Sequence, residues 1–137
     1  MTFVPGQFGG MDEYQVVEQE FNKEHAQELT LAGGDLGAGP GPTTPARLIR
    51  YRHDWGNWKG LLIMRLNMWH DIRPDTVMMV SASEGLVGGD TVAGKFVGNA
   101  KYTVHNVATR SGGVDIRVEI AWDNPINLQT DYLAVLF

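Results

Sequence analysis

The chain has no cysteine. It therefore has no disulfide, no thiolate metal site and no cysteine chemistry, which suits a cytoplasmic, bacterial or viral setting better than a eukaryotic secreted one. It also lacks a basic excess: 11 Lys and Arg stand against 16 Asp and Glu, a formal charge of −5, and the seven arginines are scattered. Phosphate contacts need a basic surface, so no nucleic-acid partner is expected. No apolar run approaches the ~20 residues that cross a bilayer, and no charged segment leads into an apolar signal core. Membrane insertion is not expected, and the chain carries no visible address. A cytoplasmic location fits, as does a virion or extracellular one reached without a conventional leader.

The motifs of common enzymes are missing as well. Gly88-Gly89-Asp90 and Gly33-Gly34-Asp35 lack the Lys-Ser/Thr and the strand-helix setting of a phosphate loop. No serine has the strand-to-helix elbow of a hydrolase nucleophile. His53-Asp54 and His70-Asp71 are neighbours in sequence, and neighbours on a strand point to opposite faces, so neither pair is expected to hold one ion. His25 and His105 stand alone. Asp115 and Glu119 alternate outward with Arg117 between them and read as a solvated face. We expect no metal, no cofactor and no enzymatic activity.

What is present is β-alternation. In Gly113 to Trp122, Val114, Ile116, Val118, Ile120 and Trp122 share one parity, and Asp115, Arg117, Glu119 and Ala121 the other. Asp123-Asn124-Pro125 then offers turn chemistry, and Ile126, Leu128, Thr130, Tyr132, Ala134 and Leu136 alternate again, predicting a terminal antiparallel hairpin. Further strands are predicted at Arg47 to Arg52, Gly60 to Trp69, Thr76 to Ala82 and Lys95 to Val107. Between them, Pro74 stops a ladder and Ser111-Gly112-Gly113 supplies the positive φ of a tight reversal. Along Leu61 to Trp69 both parities are largely apolar, which predicts a strand covered on both sides, by a second sheet and by a neighbouring subunit.

The N-terminal third differs. Residues 1 to 45 carry a net −6 and the remainder +1. Residues 33 to 45 are so rich in Gly and Pro that neither helix nor ladder persists through them. Tyr14, Val17 and Phe21 fit a helix over Met11 to Leu31, with an edge strand over Tyr14 to Phe21 as the alternative. The fold class expected is all-β: a small antiparallel β-sandwich of about six strands over 46–137, preceded over 1–45 by an acidic arm or helix and a linker. A chain of 137 residues closes one core.

From Asp54 to Val135 the order of features resembles the H-type lectins, the family of snail agglutinin and the discoidin C-terminal domain. The residues that carry it are Arg73-Pro74-Asp75-Thr76-Val77, Val80-Ser81-Ala82-Ser83, Tyr102-Thr103-Val104, Gly113-Val114, Trp122-Asp123-Asn124 and Leu133-Ala134-Val135. The resemblance implies a six-stranded sandwich assembled as a trimer or hexamer, binding N-acetylgalactosamine or galactose-type glycans at subunit boundaries. On it, Trp122 packs on the sugar, Asp123 and Asn124 form the polar pair beside it, and Asp54 accepts sugar hydroxyls. Lys101 or Lys95 stands in for the family's arginine, and Asp123 takes the place of a histidine of the snail type. Such a set has chemical sense, because a sugar offers an apolar C–H face to a ring and vicinal hydroxyls to a carboxylate and an amide.

Other residues have plainer readings. Trp122 shares the inward parity, so a core tryptophan capping the sandwich is the alternative to a rim site. Trp55 and Trp58 flank a polar loop, where Trp55 serves as a further sugar wall or both anchor an interface. The leading expectation is thus a non-enzymatic, carbohydrate-binding homo-oligomer. The alternative is a structural protein, a virion or tail component whose N-terminal arm mediates oligomerisation.

Overall fold

The computed structural model describes residues 14–31, 46–86 and 94–137. Its strands in chain order are β1 (Gln15–Glu20), β2 (Ala26–Leu31), β3 (Ala46–Trp58), β4 (Gly60–Asn67), β5 (Val77–Gly85), β6 (Lys95–Phe96), β7 (Lys101–Arg110), β8 (Gly113–Ala121) and β9 (Ile126–Leu136). A front sheet has the order β1-β4-β8-β7, and a back sheet the order β2-β3-β9-β5-β6. With two-residue β6 set aside, each layer has four strands. The all-β class holds, with eight strands instead of about six.

The expected N-terminal helix is not formed. Residues 15–20 and 26–31 are edge strands, joined by a one-turn 3-10 helix over Lys23–His25. β1 runs parallel to β4, pairing Val17 with Met64, and β2 runs antiparallel to β3, pairing Leu29 with Leu48. A helix would have left Glu24 and Glu28 on its apolar stripe. Two short strands instead need only Val17 and Phe21 to turn inward.

The terminal hairpin is also absent. β8 pairs with β4 and β7, whereas β9 pairs with β3 and β5, so the chain crosses from one sheet to the other between Ala121 and Ile126. Alternation shows which face of a strand is buried and is silent about its hydrogen-bonded neighbour. Val114, Ile116, Val118 and Ile120 of β8 do face inward, but they meet Leu128, Tyr132 and Ala134 of β9 across the core. The reversal at Ser111-Gly112 is a true hairpin, pairing Arg110 with Gly113, and Gly112 takes φ +81°.

β4 contributes Leu62, Met64 and Leu66 to the core, each fully buried and worth about 1.5–3 kcal/mol. Its outward Leu61 and Ile63 are half-buried. The alternation breaks where Met68 adopts φ +64°. Met68 thereby points to solvent while Trp69 turns into the core, the reverse of what their parity predicts. Around Trp69 lies an aromatic cluster: Phe21 stacks on it at 4.6 Å, Tyr51 meets it edge-on at 5.3 Å and Tyr132 at 5.9 Å.

A chain of hydrogen bonds ties the segment after β1 to this cluster. The Asn22 N–H donates to the Tyr51 hydroxyl at 3.0 Å, and that hydroxyl lies 2.6 Å from His53 Nδ1. His53 Nε2 lies 2.7 Å from Gln19 Oε1, and Gln19 Nε2 donates to the Trp55 carbonyl at 3.1 Å. One tautomer satisfies every member: neutral His53 donates from Nε2 and accepts from Tyr51 at Nδ1. Burial holds its pKa down to about 4, against a smaller upward pull from Asp54 and with a smaller downward one from His25, and burial raises Tyr51 to about 12.

The unfolded chain thus takes up a proton near pH 6.5 that the folded one refuses until about pH 4. The stability contributed by neutral His53 is complete above pH 6.5 and is lost as pH falls toward 4, by up to about 3 kcal/mol. Urea unfolding at pH 7 and pH 4.5 is expected to show this loss, and His53→Gln to flatten that part of the profile.

Candidate functional site

At one end of the sandwich the chain crosses between sheets three times, at Lys59 between β3 and β4, over 97–100 between β6 and β7, and over 122–125 between β8 and β9, and the first and last of these frame the site. The register brings these crossings together, because Trp58 pairs with Ile126 and Gly60 with Ile120. Lys59 Nζ donates to the Asp123 carbonyl at 3.1 Å and locks one crossing to the other. Gly60, at φ +78°, makes the first corner.

Residues 121–125 are all exposed. β8 ends at Ala121, and the Trp122 N–H folds back to the Ile120 carbonyl at 3.0 Å, so Trp122 leaves the inward parity. It is 42% exposed, a rim tryptophan and not a core cap. Asp123 and Asn124 stand beside it in solvent, and Lys101 pairs with Ala121 on the neighbouring strand. Four of the six site residues expected from the sequence therefore meet at this end: Trp122, Asp123, Asn124 and Lys101.

Asp54 belongs to an adjoining network. Its Oδ1 accepts from the Gly56 N–H at 2.9 Å and from Asn127 Nδ2 at 2.8 Å. Asn127 Oδ1 accepts from the buried Gly85 N–H at 3.1 Å, and its carbonyl accepts from the Tyr102 hydroxyl at 2.6 Å. Burial, and after it the Glu84 carboxylate, pushes the Tyr102 pKa up and keeps that hydroxyl a neutral donor. Only Gly fits at position 85, since a Cβ there would lie 2.2 Å from Gln129 Nε2 and 2.3 Å from Asn127 Oδ1. Asp54 thus sets the shape of the β3 bulge and its junction with β9 and β5, and reaches the rim through Asn127.

Trp55 does not form a wall. It is 2% exposed, and its Nε1–H donates to Thr130 Oγ1 at 2.8 Å, whose hydroxyl donates to Tyr132. The β3–β9 register shifts between Asp54 and Gly56. Trp55 continues the inward alternation of Ile49, Tyr51 and His53, so β3 runs on where the sequence suggests a simple loop, and the bulge is completed at Gly56, φ +90°. Trp58 is half-buried, with its Nε1–H on the Trp55 carbonyl at 2.8 Å.

Sequence reasoning misses Lys59, Asn127 and Tyr102. Asn127 shares the outward parity of Gln129 and Asp131, so nothing marks it as a junction. Lys59 has a usable signal in its position between Trp58 and Gly60, the residues of a corner.

A shallow hollow of about 170 Å³ lies beside Lys101, lined by Ala82, Glu84, Val97 and Tyr102 among others. A larger cleft of about 580 Å³, lined by Glu20, Asn67, Met68, His70 and Arg110, sits at the opposite end of the front sheet. The Arg110 guanidinium there is committed to Asp115, to Asn67 and to the Leu66 carbonyl. A third hollow of about 310 Å³ lies among Arg47, Asp71, Arg73 and the C-terminal Leu136-Phe137. Arg47 in it is paired with Glu28 and Asp71, which raise its pKa.

Among the described residues, no group of three or more His, Asp and Glu is placed to hold a metal ion. No helix of the described residues is long and apolar enough to cross a membrane. The rim presents an indole, a carboxylate, an amide and an ammonium to solvent, a set suited to binding a polar ligand with one apolar face.

Truncating Asn127 tests the junction that supports the rim. Asn127→Ala leaves the buried Gly85 N–H without its acceptor, and is expected to cost about 1–3 kcal/mol in denaturant unfolding. Comparison of the chain with family models, with characterised proteins and with solved structures gives no match.

Proposed function

We propose that the protein is a non-enzymatic carbohydrate-binding module that acts as a homo-oligomer and takes glycans of the galactose or N-acetylgalactosamine type at the rim around Trp122. The observation that carries this reading is the half-exposed Trp122, next to exposed Asp123 and Asn124, on a connection whose backbone Lys59 holds. The indole covers the C–H face of a pyranose, while the carboxylate and amide take its vicinal hydroxyls. Lys101 supplies a further donor from the start of β7. Two bonds hold the backbone that presents the loop groups, the Trp122 N–H to the Ile120 carbonyl and Lys59 Nζ to the Asp123 carbonyl, which lowers the ordering cost of binding. The site is shallow, so useful affinity comes from several copies engaging a glycan surface at once.

A second reading, a structural component of a larger assembly such as a virion or tail, has its own support. On the outer face of the back sheet one cross-strand row reads Leu29, Leu48, Val135 and Val77, and the next contains Leu133 and Met79. Leu29, Val77 and Met79 are each more than half exposed. An uncovered apolar row of this kind marks a surface made for a protein neighbour. Of the arm and linker expected over 1–45, residues 15–20 and 26–31 pair within their own chain, and residues 1–13 and 32–45 lie outside the described residues, so this reading uses the apolar face.

Glycan-array binding with monosaccharide competition separates the two. The carbohydrate reading expects competed binding to a coherent glycan set, and Trp122→Ala is expected to reduce it at least tenfold without shifting the unfolding transition. A folded wild type that binds no glycan rejects it in favour of assembly, and unchanged binding by a folded Trp122→Ala rejects the site.

A further inference from the structure

Among the long strands that border the two sheets, three carry devices that stop another strand from adding. β1 is six residues long and carries Glu18 and Glu20. β2 is equally short and carries Glu28, which is paired with Arg47. β7 is longer, but it carries Lys101, His105 and Arg110, and its ladder is broken by a register shift between Val104 and Asn106. Short length, charge and bulges are the usual protections of a sheet edge.

Over Val77 to Ser83, before Glu84, β5 has none of these. From Val77 to Ser83 it reads Val-Met-Met-Val-Ser-Ala-Ser, without a charge or a proline. It pairs with β9 through seven consecutive residues without a register shift. β6 meets it only at Glu84 and Gly85, and among the described residues no strand pairs with its other edge from Val77 to Ser83. The side chains here are also poorly covered: Val77 is 52% and Met79 58% exposed, while Met78, Val80 and Ala82 pack on the core only in part. An unprotected, regular, apolar edge of this length is a template for strand addition.

We propose that this edge is the contact between two copies of the chain, β5 pairing antiparallel with β5 of a second molecule about a two-fold axis. Charge selects the occupant. A strand laid along Val77 to Ser81 meets no ionic partner, so it must itself be uncharged over about five residues, and in this molecule the same segment of β5 is the edge that meets that condition. A two-fold axis at Met79 places Met78 opposite the partner subunit's Val80 on the inner face. On the outer face the two Met79 side chains meet, and Val77 lies opposite the partner subunit's Ser81. The contact is isologous and closes, because each copy offers one such edge, and the two back sheets become one continuous sheet. The apolar row Leu29, Leu48, Val135 and Val77 then runs to the axis from both sides. An assembly using this contact has an even number of subunits, so a bare trimer is excluded and a hexamer is allowed.

The inference rests on the homo-oligomeric part of the proposed function and is independent of its glycan part. The test is light scattering after size exclusion, over a hundredfold range of concentration, on the wild type, Met79→Lys and Met79→Glu. Either charge repels its own copy at the axis and is expected to raise the dissociation constant of the two-fold contact at least tenfold. Because Met79 is more than half exposed, both variants are expected to keep the wild-type circular dichroism. Mixing the two variants is expected to restore association, since the introduced ammonium then faces a carboxylate across the axis; a gain on mixing cannot come from misfolding. A wild type that is monomeric throughout overturns both the contact and the homo-oligomer, and leaves the edge to a strand from another protein. A wild-type oligomer that both variants retain unchanged overturns the β5 contact alone.

Discussion

The fold depends on one aromatic contact set that no single sheet supplies. Phe21 follows β1, Tyr51 lies on β3, Trp69 follows β4 and Tyr132 lies on β9, and their rings meet at 4.5 to 5.9 Å. Each such pair adds about 0.5–1.5 kcal/mol beyond the area it buries. More important is what it joins: the two layers, and the strand-to-strand passage at Phe21 that takes the chain from the front sheet to the back. Tyr51 extends the set into a polar chain through His53 to Gln19. The N-terminal strands are thereby held by packing and by directional bonds together. Among the described residues Trp69 Nε1 is buried without a partner, an electrostatic cost set against the surrounding ring contacts.

Beyond this cluster the molecule divides its labour by end and by face. The end of the Lys59 and 122–125 crossings is polar and exposed, and carries the rim around Trp122. The opposite end holds the Gly112 hairpin and the turn after Trp69, where Arg110 is fixed by Asp115 and Asn67. The front sheet's outer face is laced by ion pairs such as Arg65 with Glu18 and Asp115. The back sheet's outer face is graded along the strands. It passes from the apolar row at Leu29 and Val77, through Arg52 and Lys95 paired with Asp131, to the buried amide of Gln129. Burial, and after it Arg52 and Arg50, lowers the Lys95 pKa.

The strand positions from Arg47 onward are legible because a half-buried strand prints its two faces into alternate residues. Val114 to Ile120 and Leu128 to Leu136 are the clearest cases, and the turn at Gly112 follows from the need for positive φ. Pairing is not legible: β8 and β9 have the alternation of a hairpin, yet they lie in opposite layers, since periodicity carries no record of the neighbour. Met68 shows a second limit: its positive φ reverses the alternation without a glycine to announce it, whereas the bulge after Asp54 carries Gly56 at φ +90° and leaves Trp55 on the parity of Tyr51 and His53. Within the site, Trp122, Asp123 and Asn124 are readable as a polar break after an alternating run. Asn127 is not, because its role comes from β5 and β7 residues distant in sequence.

The parallel pairing of β1 with β4 bears on how the chain reaches this structure. Val17 meets Met64 only after 46 intervening residues have been arranged, including both strands of the β2–β3 pair. Loop-closure entropy opposes such a contact until other strands are in place. β7 and β8, by contrast, are joined by two residues and pair from Lys101 to Ala121. Among the described strands, β7 and β8 can therefore pair locally, whereas β1 can pair only once β4 is available to it. Until β3 and β4 have been made, the emerging chain lacks the Tyr51, Met64 and Trp69 side chains on which Val17 and Phe21 are buried.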